Sequence, residues 1–448
     1  MNDITAIFAF LKCCLGYKGN MSRMIAGMNW HELYSFASKQ ALLGLCFEGI
    51  ERLGKEYPEE LKQNPIGREL LMTWMGKAQQ IRRQNMKVNA VAGKLFSMLR
   101  EDGMRCCVLK GQGNALMYPN PYSRTPGDID VWVNASRERI MEYASKKFEL
   151  GDDIRLQHLE TSLDSVPVEL HFFPCSMNNP IYHARLQKWF RRNADLQCSN
   201  VVKLPDGAGD IAIPTMAFNV IYQLTHLYHH FFDEGIGMRQ IIDYYYVVCD
   251  FYKVYQKSSN PSVSLSKGSS TFSPSPSSSG SGDVTAPSRC SEPLRSKDGG
   301  PSKVSPDCAG WDRLTIEGDN SAGSTTAVTS SASTALVVVQ RELKYLGLWK
   351  FAGAVMYVLK EVLGLSEDKM IVPMDEKRGR LLLAEILDGG NFGRHFTKYA
   401  GFTHQSMGKK YFLKIWRNMH FVRYYPAEAL SEPIFRTWHF FWRMKNKK

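Results

Sequence analysis

Two aspartates one residue apart, Asp128 and Asp130, stand at the start of an apolar run that otherwise reads as a β-strand. Alternate side chains of a strand point to the same face, so both carboxylates would share one face while Ile129, Val131 and Val133 point into the core. Neighbouring carboxylates repel each other unless a positive charge lies between them. Mg²⁺ is typically held by one or two carboxylates together with substrate phosphates, so the pair is a candidate metal site.

A third carboxylate follows in the stretch VPVELHFF, residues 166–173. The apolar residues Val166, Val168 and Leu170 would take the buried face of a strand, which turns Glu169 and His171 to the other face. If this strand is a neighbour of the aspartate strand, Glu169 completes a cluster of three acids. His171 has two interpretations, either a group close to the metal or a half-exposed strand residue.

A candidate phosphate site precedes the aspartates. The strand that ends in VLKG is predicted to run into a helix that begins near Gly111, within the run Lys110-Gly111-Gln112-Gly113. Free N–H groups at a helix start bind phosphate, and glycine lets the phosphate approach the backbone closely. Lys110 and Arg124 could supply further positive charge to a phosphoryl group. We therefore place phosphate binding at Lys110, Gly111, Gly113 and Arg124.

The segments before and after these strands have the spacing of apolar residues that is typical of helices. Apolar residues recur at three- and four-residue spacing from Leu70 to Leu99, and Gly103 is a plausible terminator because glycine accepts left-handed backbone. The predicted fold class is α+β, a small mixed sheet flanked by two helical regions. The boundaries are residues 1–100 for the N-terminal helices, 101–210 for the core and 211–448 for a C-terminal helical domain.

Residues 257–333 are dominated by Ser, Gly, Pro and Thr, as in STFSPSPSSSGSGD. Such a segment has few large apolar side chains to offset the entropy of ordering, so we predict disorder. The helical pattern resumes at Leu336. The segment is therefore interpreted as an insertion within one helical domain.

Composition narrows the class of protein. The chain has 448 residues and a formal charge of +12, and no apolar run approaches the roughly 20 residues of a membrane span. Ten cysteines without a C-x-x-C motif favour a reduced, cytoplasmic protein. Asp3 and Lys12 make the N-terminus a buried amphipathic helix rather than a secretory signal.

Two further patterns each leave two interpretations open. From Ser406 to Lys448 the net charge is +8, which fits either a solvated helix face or a surface for nucleic acid or another anionic surface. His226 and His230 are four residues apart, as in a zinc pair, but their aromatic neighbours favour packing. Downstream of this pair, Arg239 and Asp243 form either a polar seam facing the cleft, together with Asp233, or a buried ion-pair network.

The motifs LKG, GDIDVWV, VELHFF and GIGMRQIIDY resemble the uncharacterised nucleotidyltransferase family of the polymerase-beta-like superfamily. The resemblance implies a small sheet carrying metal-binding acids, with Asp128 and Asp130 as metal ligands and Glu169 as the third carboxylate. The wider superfamily usually has Gly-Ser after the first strand, where this chain has Lys110-Gly111.

The leading hypothesis is a nucleotidyltransferase that uses Mg²⁺ or Mn²⁺. Asp128, Asp130 and Glu169 would hold the metal while a nucleoside monophosphate moves from a nucleoside triphosphate to an unknown hydroxyl or phosphate acceptor. The alternative is a non-catalytic protein that binds a nucleotide or a partner on the same scaffold.

Overall fold

The computed structural model describes residues 3–257, 332–396 and 407–446. Its first part is helical, as predicted for the N-terminal region. The helices are α1 (Asp3–Cys14), α2 (Ser22–Ala26), α3 (Trp30–Lys39), α4 (Leu43–Glu56), α5 (Pro58–Gln63) and α6 (Arg68–Glu101). The amphipathic interpretation of α1 is confirmed, because Ile7, Phe10 and Leu11 are buried.

The long helix α6 forms one wall of the core. Its apolar stripe, which includes Trp74, Val88 and Leu95, is buried, while most residues on the opposite side of the helix are exposed to solvent. The chain leaves the helix through Gly103, whose φ of +71° is in the left-handed region that glycine adopts without strain. This turn directs the chain into the first strand.

Five strands form one mixed sheet. The elements of this part are β1 (Cys106–Leu109), α7 (Gly111–Ala115), β2 (Ile129–Val133), α8 (Arg137–Lys147), β3 (Leu150–Ile154), β4 (His158–Leu163) and β5 (Val166–His171). The strand order is β1-β2-β5-β4-β3, with β2 and β5 parallel and the other pairs antiparallel. The α+β class and the strands β1, β2 and β5 are confirmed, whereas the hairpin β3–β4 was not predicted.

The two faces of the sheet meet different cores. Ile129, Val131 and Val133 of β2 are buried against α6 and α8, as the alternation predicted. Trp132, on the opposite face, belongs to the larger core, with its ring centroid 6.1 Å from that of Phe218. The face that carries the acids is therefore covered partly by helices from later in the chain.

Those later elements build a helical region against the sheet. They are α9 (Pro180–Ser199), β6 (Val201–Lys203), β7 (Asp210–Ala212), α10 (Met216–Asp233), α11 (Met238–Lys257), α12 (Ala332–Tyr345), α13 (Trp349–Leu363), α14 (Glu376–Gly389), α15 (Met407–Met419) and α16 (Pro426–Asn446). Helix α12 packs against α10 and α11. The helices on either side of the predicted insertion are thus neighbours. Lys257 and Ser333, at the ends of the predicted insertion, belong to α11 and α12, and residues 258–331 lie outside the described residues.

Two further expectations concern cysteines and membranes. The eight described cysteines are free thiols, and the seven buried ones pack as small apolar side chains. Within the described ranges, no helix combines the length and the hydropathy that crossing a bilayer requires.

Candidate active site

The acid cluster is built by the parallel pairing of β2 and β5. Asp130 is directly opposite Glu169 in the register, so both carboxylates project from the same face of adjacent strands. Asp128 immediately precedes β2. One carboxylate oxygen from each of the three residues lies within 4.8 Å of the others. The three acids named from the sequence are therefore brought together.

The pKa values of Asp128 and Asp130 are shifted in opposite directions. Repulsion from Asp130, together with burial, raises the pKa of Asp128 to about 6. Burial also opposes the ionisation of Asp130, but Lys110 and His171 outweigh it and hold its pKa well below the usual value. Lys110 and His171 thus stabilise the charge of Asp130, whereas at Asp128 the charge of Lys110 only partly offsets the repulsion from Asp130.

His171 bridges two of the acids. Its Nε2 atom is 2.9 Å from Oδ1 of Asp130 and 3.2 Å from Oε2 of Glu169, and the side chain is almost completely buried. Burial disfavours the protonated ring, but the two carboxylates outweigh burial and raise the pKa of His171 to about 9. His171 is therefore a buried residue beside the acids and not a half-exposed strand residue.

Lys110 supplies the second positive charge. Its Nζ atom lies 3.0 Å from Oδ1 of Asp130 and 2.7 Å from Nε2 of His226 on α10. Burial lowers the pKa of His226 well below its usual value, and the Lys110 charge adds to this effect, so the neutral ring accepts a hydrogen bond from the lysine. His226 and His230 contact each other, but neither belongs to a group of three ligating side chains in the described part of the chain. Their zinc interpretation therefore has no third ligand there.

The turn after β1 has unusual backbone geometry. Lys110 has a φ of +53° and a ψ of −134°, a conformation that is rare for a residue with a side chain, and Gly111 has a φ of +42°. The turn aims the lysine at Asp130. Gly113, by contrast, is buried, and a Cβ atom there would lie 2.9 Å from Ile213. The structure therefore assigns Gly113 to packing, and only Lys110 and Gly111 of this turn line the site.

Arg124 is engaged by a partner within the chain. Its guanidinium donates two hydrogen bonds of 2.8 Å to the two carboxylate oxygens of Asp243, and Tyr118 donates a third to the same carboxylate. Both charged side chains are buried. Asp243 therefore forms a buried ion pair that balances the charge of Arg124, and Arg124, Arg239 and Asp243 also line a cleft beside the acids. Asp233 is not part of this network, because it pairs with Lys414 and Arg436. Arg239 lies beside this network and donates to the carbonyl of Thr125.

Two concave regions flank the acids. The first, named here the lysine-side cleft, is lined by Lys110, Gly111, Asp128, Arg239 and Phe392, among others. Phe392 comes from the turn that follows α14. The cleft thus joins the β1 turn to the C-terminal helices.

The second region, named here the histidine-side cavity, has a volume of about 150 Å³. It lies towards β4 and is lined by His158, His229, Phe435, Arg436 and His439, among others. Sequence reasoning missed it, because β4 was not predicted and α16 was interpreted only through its charge. The alternation of His158, Glu160 and Ser162 was the one available signal for β4.

His158 connects this cavity to the acids. Its Nδ1 atom lies 3.4 Å from Oε2 of Glu169, and neither ring nitrogen has a hydrogen-bond partner. Burial, strengthened by His171, lowers the pKa of His158 to about 4, so the ring is neutral. His158, Glu169 and His171 form the second convergent group of potential metal ligands in the described residues.

A small mixed sheet that gathers three carboxylates beside a Lys-Gly turn defines the class of protein: this is the arrangement expected of a nucleotidyltransferase. The chain belongs to the uncharacterised nucleotidyltransferase family, whose sequence profile matches residues 26–254, just over half of its length. No curated protein and no solved structure matches the chain. The match includes the acids and Lys110, whereas helices α12 to α16 lie beyond it.

Proposed function

We propose that the protein transfers a nucleoside monophosphate from a nucleoside triphosphate to a hydroxyl or phosphate acceptor: the acceptor oxygen bonds to the α-phosphorus, the bond to the β-phosphate breaks, and pyrophosphate leaves. The observation that carries this proposal is the convergence of Asp128, Asp130 and Glu169 within 4.8 Å, in a chain of nucleotidyltransferase ancestry. Family membership alone would not identify which residues take part in the reaction. The convergence of these three carboxylates is what supports them as the reacting groups.

The donor set suits a divalent cation. Three carboxylates offer the hard oxygen ligands that Mg²⁺ and Mn²⁺ prefer. The raised pKa of Asp128, caused first by repulsion from Asp130, shows that this group lacks sufficient positive charge nearby. A bound cation would stabilise the negative charge that develops around the α-phosphate and would favour deprotonation of an acceptor hydroxyl.

The lysine-side cleft is the proposed site of the triphosphate. The carboxylates raise the pKa of Lys110 although burial opposes this, so the lysine presents a full positive charge at the cleft. Gly111 leaves the adjacent backbone open to a phosphate oxygen. Arg124 and Arg239 both line this cleft. Arg239 adds positive charge there, whereas the charge of Arg124 is balanced by Asp243, so Arg124 acts as a positioning residue.

The histidine-side cavity is the proposed entry for the acceptor. In-line displacement places the attacking and leaving oxygens on opposite sides of the phosphorus. Across the sheet, Lys110 follows β1 at one edge of the acid cluster and His158 begins β4 at the other, with β2 and β5 between them. Entry from the side of His158 would therefore meet this requirement. Neutral His158, with two unbonded ring nitrogens, could accept or donate a hydrogen bond to an incoming hydroxyl.

One observation favours the non-catalytic alternative. The Nζ atom of Lys110 already lies 3.0 Å from Asp130, so a protein cation neutralises part of the cluster without any metal. In a non-catalytic binding protein this lysine would be the permanent counter-ion. The two functions then differ in whether a divalent cation binds and whether label is transferred.

A labelling experiment separates them. The full chain is incubated with each α-³²P nucleoside triphosphate, Mg²⁺ or Mn²⁺, and panels of sugars, sugar phosphates, RNA oligonucleotides and cell-lysate metabolites. We expect a labelled product from the wild type and from Asp195→Asn, an exposed carboxylate that pairs with Arg105, but none from Asp128→Asn. Nucleotide binding in calorimetry without any labelled product would instead establish the non-catalytic function.

A further inference from the structure

The C-terminal helices α15 and α16 expose an unusual amount of apolar surface. Nine of the twenty exposed large hydrophobic side chains in the described residues belong to these two helices. They are Phe412, Trp416, Met419, Leu430, Ile434, Trp438, Phe440, Phe441 and Met444. Scattered single residues of this kind are normal on a protein surface, but a concentration of them marks an interaction site.

Helix α16 has two apolar faces. Its inner face carries Ala429, which is fully buried, and Phe435, which lines the histidine-side cavity. Its outer face carries Leu430, Ile434, Trp438 and Phe441, at intervals of four, four and three residues. These intervals place the four side chains in one stripe along the helix. Ile434 is 74% exposed and Trp438 is 50% exposed.

Helix α15 repeats the arrangement. Arg417 and Asn418 are buried against the body of the protein, while Phe412, Trp416 and Met419 form an outer stripe at intervals of four and three residues. The two helices pack against each other. The outer stripes of α15 and α16 are named here the C-terminal apolar face.

The charges around this face have one sign. Glu428 and Glu432 are the acidic residues between positions 407 and 446, and both are only 1% exposed. Glu428 accepts hydrogen bonds from the backbone N–H groups of Asn178 and Asn179, and Glu432 accepts one from Arg436. The exposed ionised groups of the segment are therefore cationic, and Arg423, Arg443 and Lys445 are among them.

We propose that the C-terminal apolar face docks on an anionic lipid bilayer, with α15 and α16 lying in the plane of the membrane surface. Tryptophan and phenylalanine rings on helices with lysine and arginine are suited to the headgroup region, where apolar side chains enter the lipid and cations meet anionic headgroups. A second copy of the chain would bring two cationic surfaces together. The bases of single-stranded nucleic acid would stack on the aromatic rings, but the non-aromatic side chains of Leu430, Ile434 and Met444 cannot stack with bases.

The proposal is tested with the full chain and vesicles of phosphatidylcholine with or without one quarter phosphatidylserine. The apolar variant is Ile434→Ser/Trp438→Ser/Phe441→Ser. Its matched control is Leu71→Ser/Met72→Ser/Met75→Ser, which removes three exposed hydrophobic side chains from α6. The charge variant is Arg423→Gln/Lys445→Gln. Co-sedimentation measures partitioning, and brominated lipids report whether tryptophan rings enter the bilayer.

We expect the wild type and the α6 control to bind the anionic vesicles with tryptophan quenching, and the apolar variant to lose at least about tenfold in partitioning. Each removed cation should lower partitioning onto the anionic vesicles by roughly fivefold, and added salt should diminish this effect. Circular dichroism and nucleotide titration should not change, since the altered side chains are exposed and none of them belongs to the acid cluster.

Three results would overturn the proposal. One is a wild type that does not bind anionic vesicles, and another is an apolar variant that binds them as the wild type does. The third is a wild type that sediments as a dimer and an apolar variant that sediments as a monomer, because the face would then be a contact between copies. None of these results bears on the acid cluster, so the docking proposal and the proposed transfer reaction fail separately.

Discussion

The ion pair between Arg124 and Asp243 allows the role of the predicted phosphate-binding arginine to be tested directly. The two side chains are 4% and 6% exposed and share two hydrogen bonds of 2.8 Å. Removing one partner of such a pair leaves a buried charge without its counter-ion, which costs about 3–5 kcal/mol. Arg124→Met keeps much of the side-chain volume, and Tyr118 still donates a hydrogen bond to Asp243. We therefore expect the free energy of unfolding of this variant to fall by about 3 kcal/mol.

Asp243→Asn should be the more harmful change. The carboxylate balances Arg124 and also raises the pKa of buried Arg239, against the burial and the Arg124 charge that lower it. Its removal leaves two guanidinium groups facing each other, and we expect a loss at the upper end, about 5 kcal/mol. The free energy of unfolding of the double variant Arg124→Met/Asp243→Asn should fall by less than the sum of the two single losses. The reason is that the second change removes a charge that the first change left unpaired.

The assay is urea unfolding followed by tryptophan fluorescence, with a nucleotide titration of each folded variant. Arg105→Met is the control, because Arg105 forms an exposed pair with Asp195 and its loss should cost less than about 1 kcal/mol. The reasoning is refuted if Arg124→Met unfolds within about 1 kcal/mol of the wild type while its nucleotide affinity falls in a salt-dependent manner. That result would indicate that Arg124 binds the phosphates of the nucleotide, as the sequence predicted.

Four other predictions concern the acids, the turn, the insertion and a buried glutamate. Asp128→Asn should abolish transfer without lowering the unfolding temperature, since it removes a carboxylate that Asp130 repels, and it should abolish any rise in that temperature caused by Mg²⁺. Gly111→Val should cost at least about 1–2 kcal/mol in urea unfolding, because its φ of +42° disfavours a side chain, and it should weaken nucleotide binding in calorimetry. Replacing residues 258–331 by a short Gly/Ser linker should preserve a single cooperative unfolding transition, because loop-closure entropy changes only logarithmically with length; two transitions would show the segment to be structural. Burial raises the pKa of Glu428 from 4.5 to about 7, so the folded chain holds a proton that the unfolded chain has released. The free energy of unfolding should therefore fall by on the order of 3 kcal/mol as the pH rises from about 4.5 to above 7, and Glu428→Gln should remove this dependence in urea titrations at several pH values.

The local elements of the site could be predicted from the sequence because their patterns are local. The alternation in β2 and β5 identified the faces of Asp130 and Glu169, and both strands have nearly the predicted bounds. The hairpin β3–β4 was missed because its strands are partly polar. Its connection to β5 also lacks the usual Asn-Gly signal, since Asp164 and Ser165 adopt positive φ values instead.

The partners of the charged residues could not be predicted in the same way. Lys110 meets His226 from a helix 116 positions later in the chain, and Arg124 meets Asp243 across 119 positions. A sequence shows that such residues carry charge, but the fold decides whether another side chain or a ligand balances it. This is why Arg124 was assigned to phosphate from the sequence, while the structure pairs it with a carboxylate.

The two sides of the site differ in their relation to the family. Asp128, Asp130, Glu169 and Lys110 lie within residues 26–254, the segment that matches the family. The histidine-side cavity is closed by α16, which lies outside that segment and presents Phe435 to the cavity and Ile434 to solvent. In the proposed reaction the acids would act on the phosphate whatever the acceptor is, whereas the choice of acceptor would depend on the walls of the proposed acceptor cavity. We therefore expect changes on the inner face of α16, such as Phe435→Ala, to alter which acceptor is labelled while leaving nucleotide affinity unchanged. Equal acceptor preference in this variant and the wild type would place the acceptor elsewhere on the acid face.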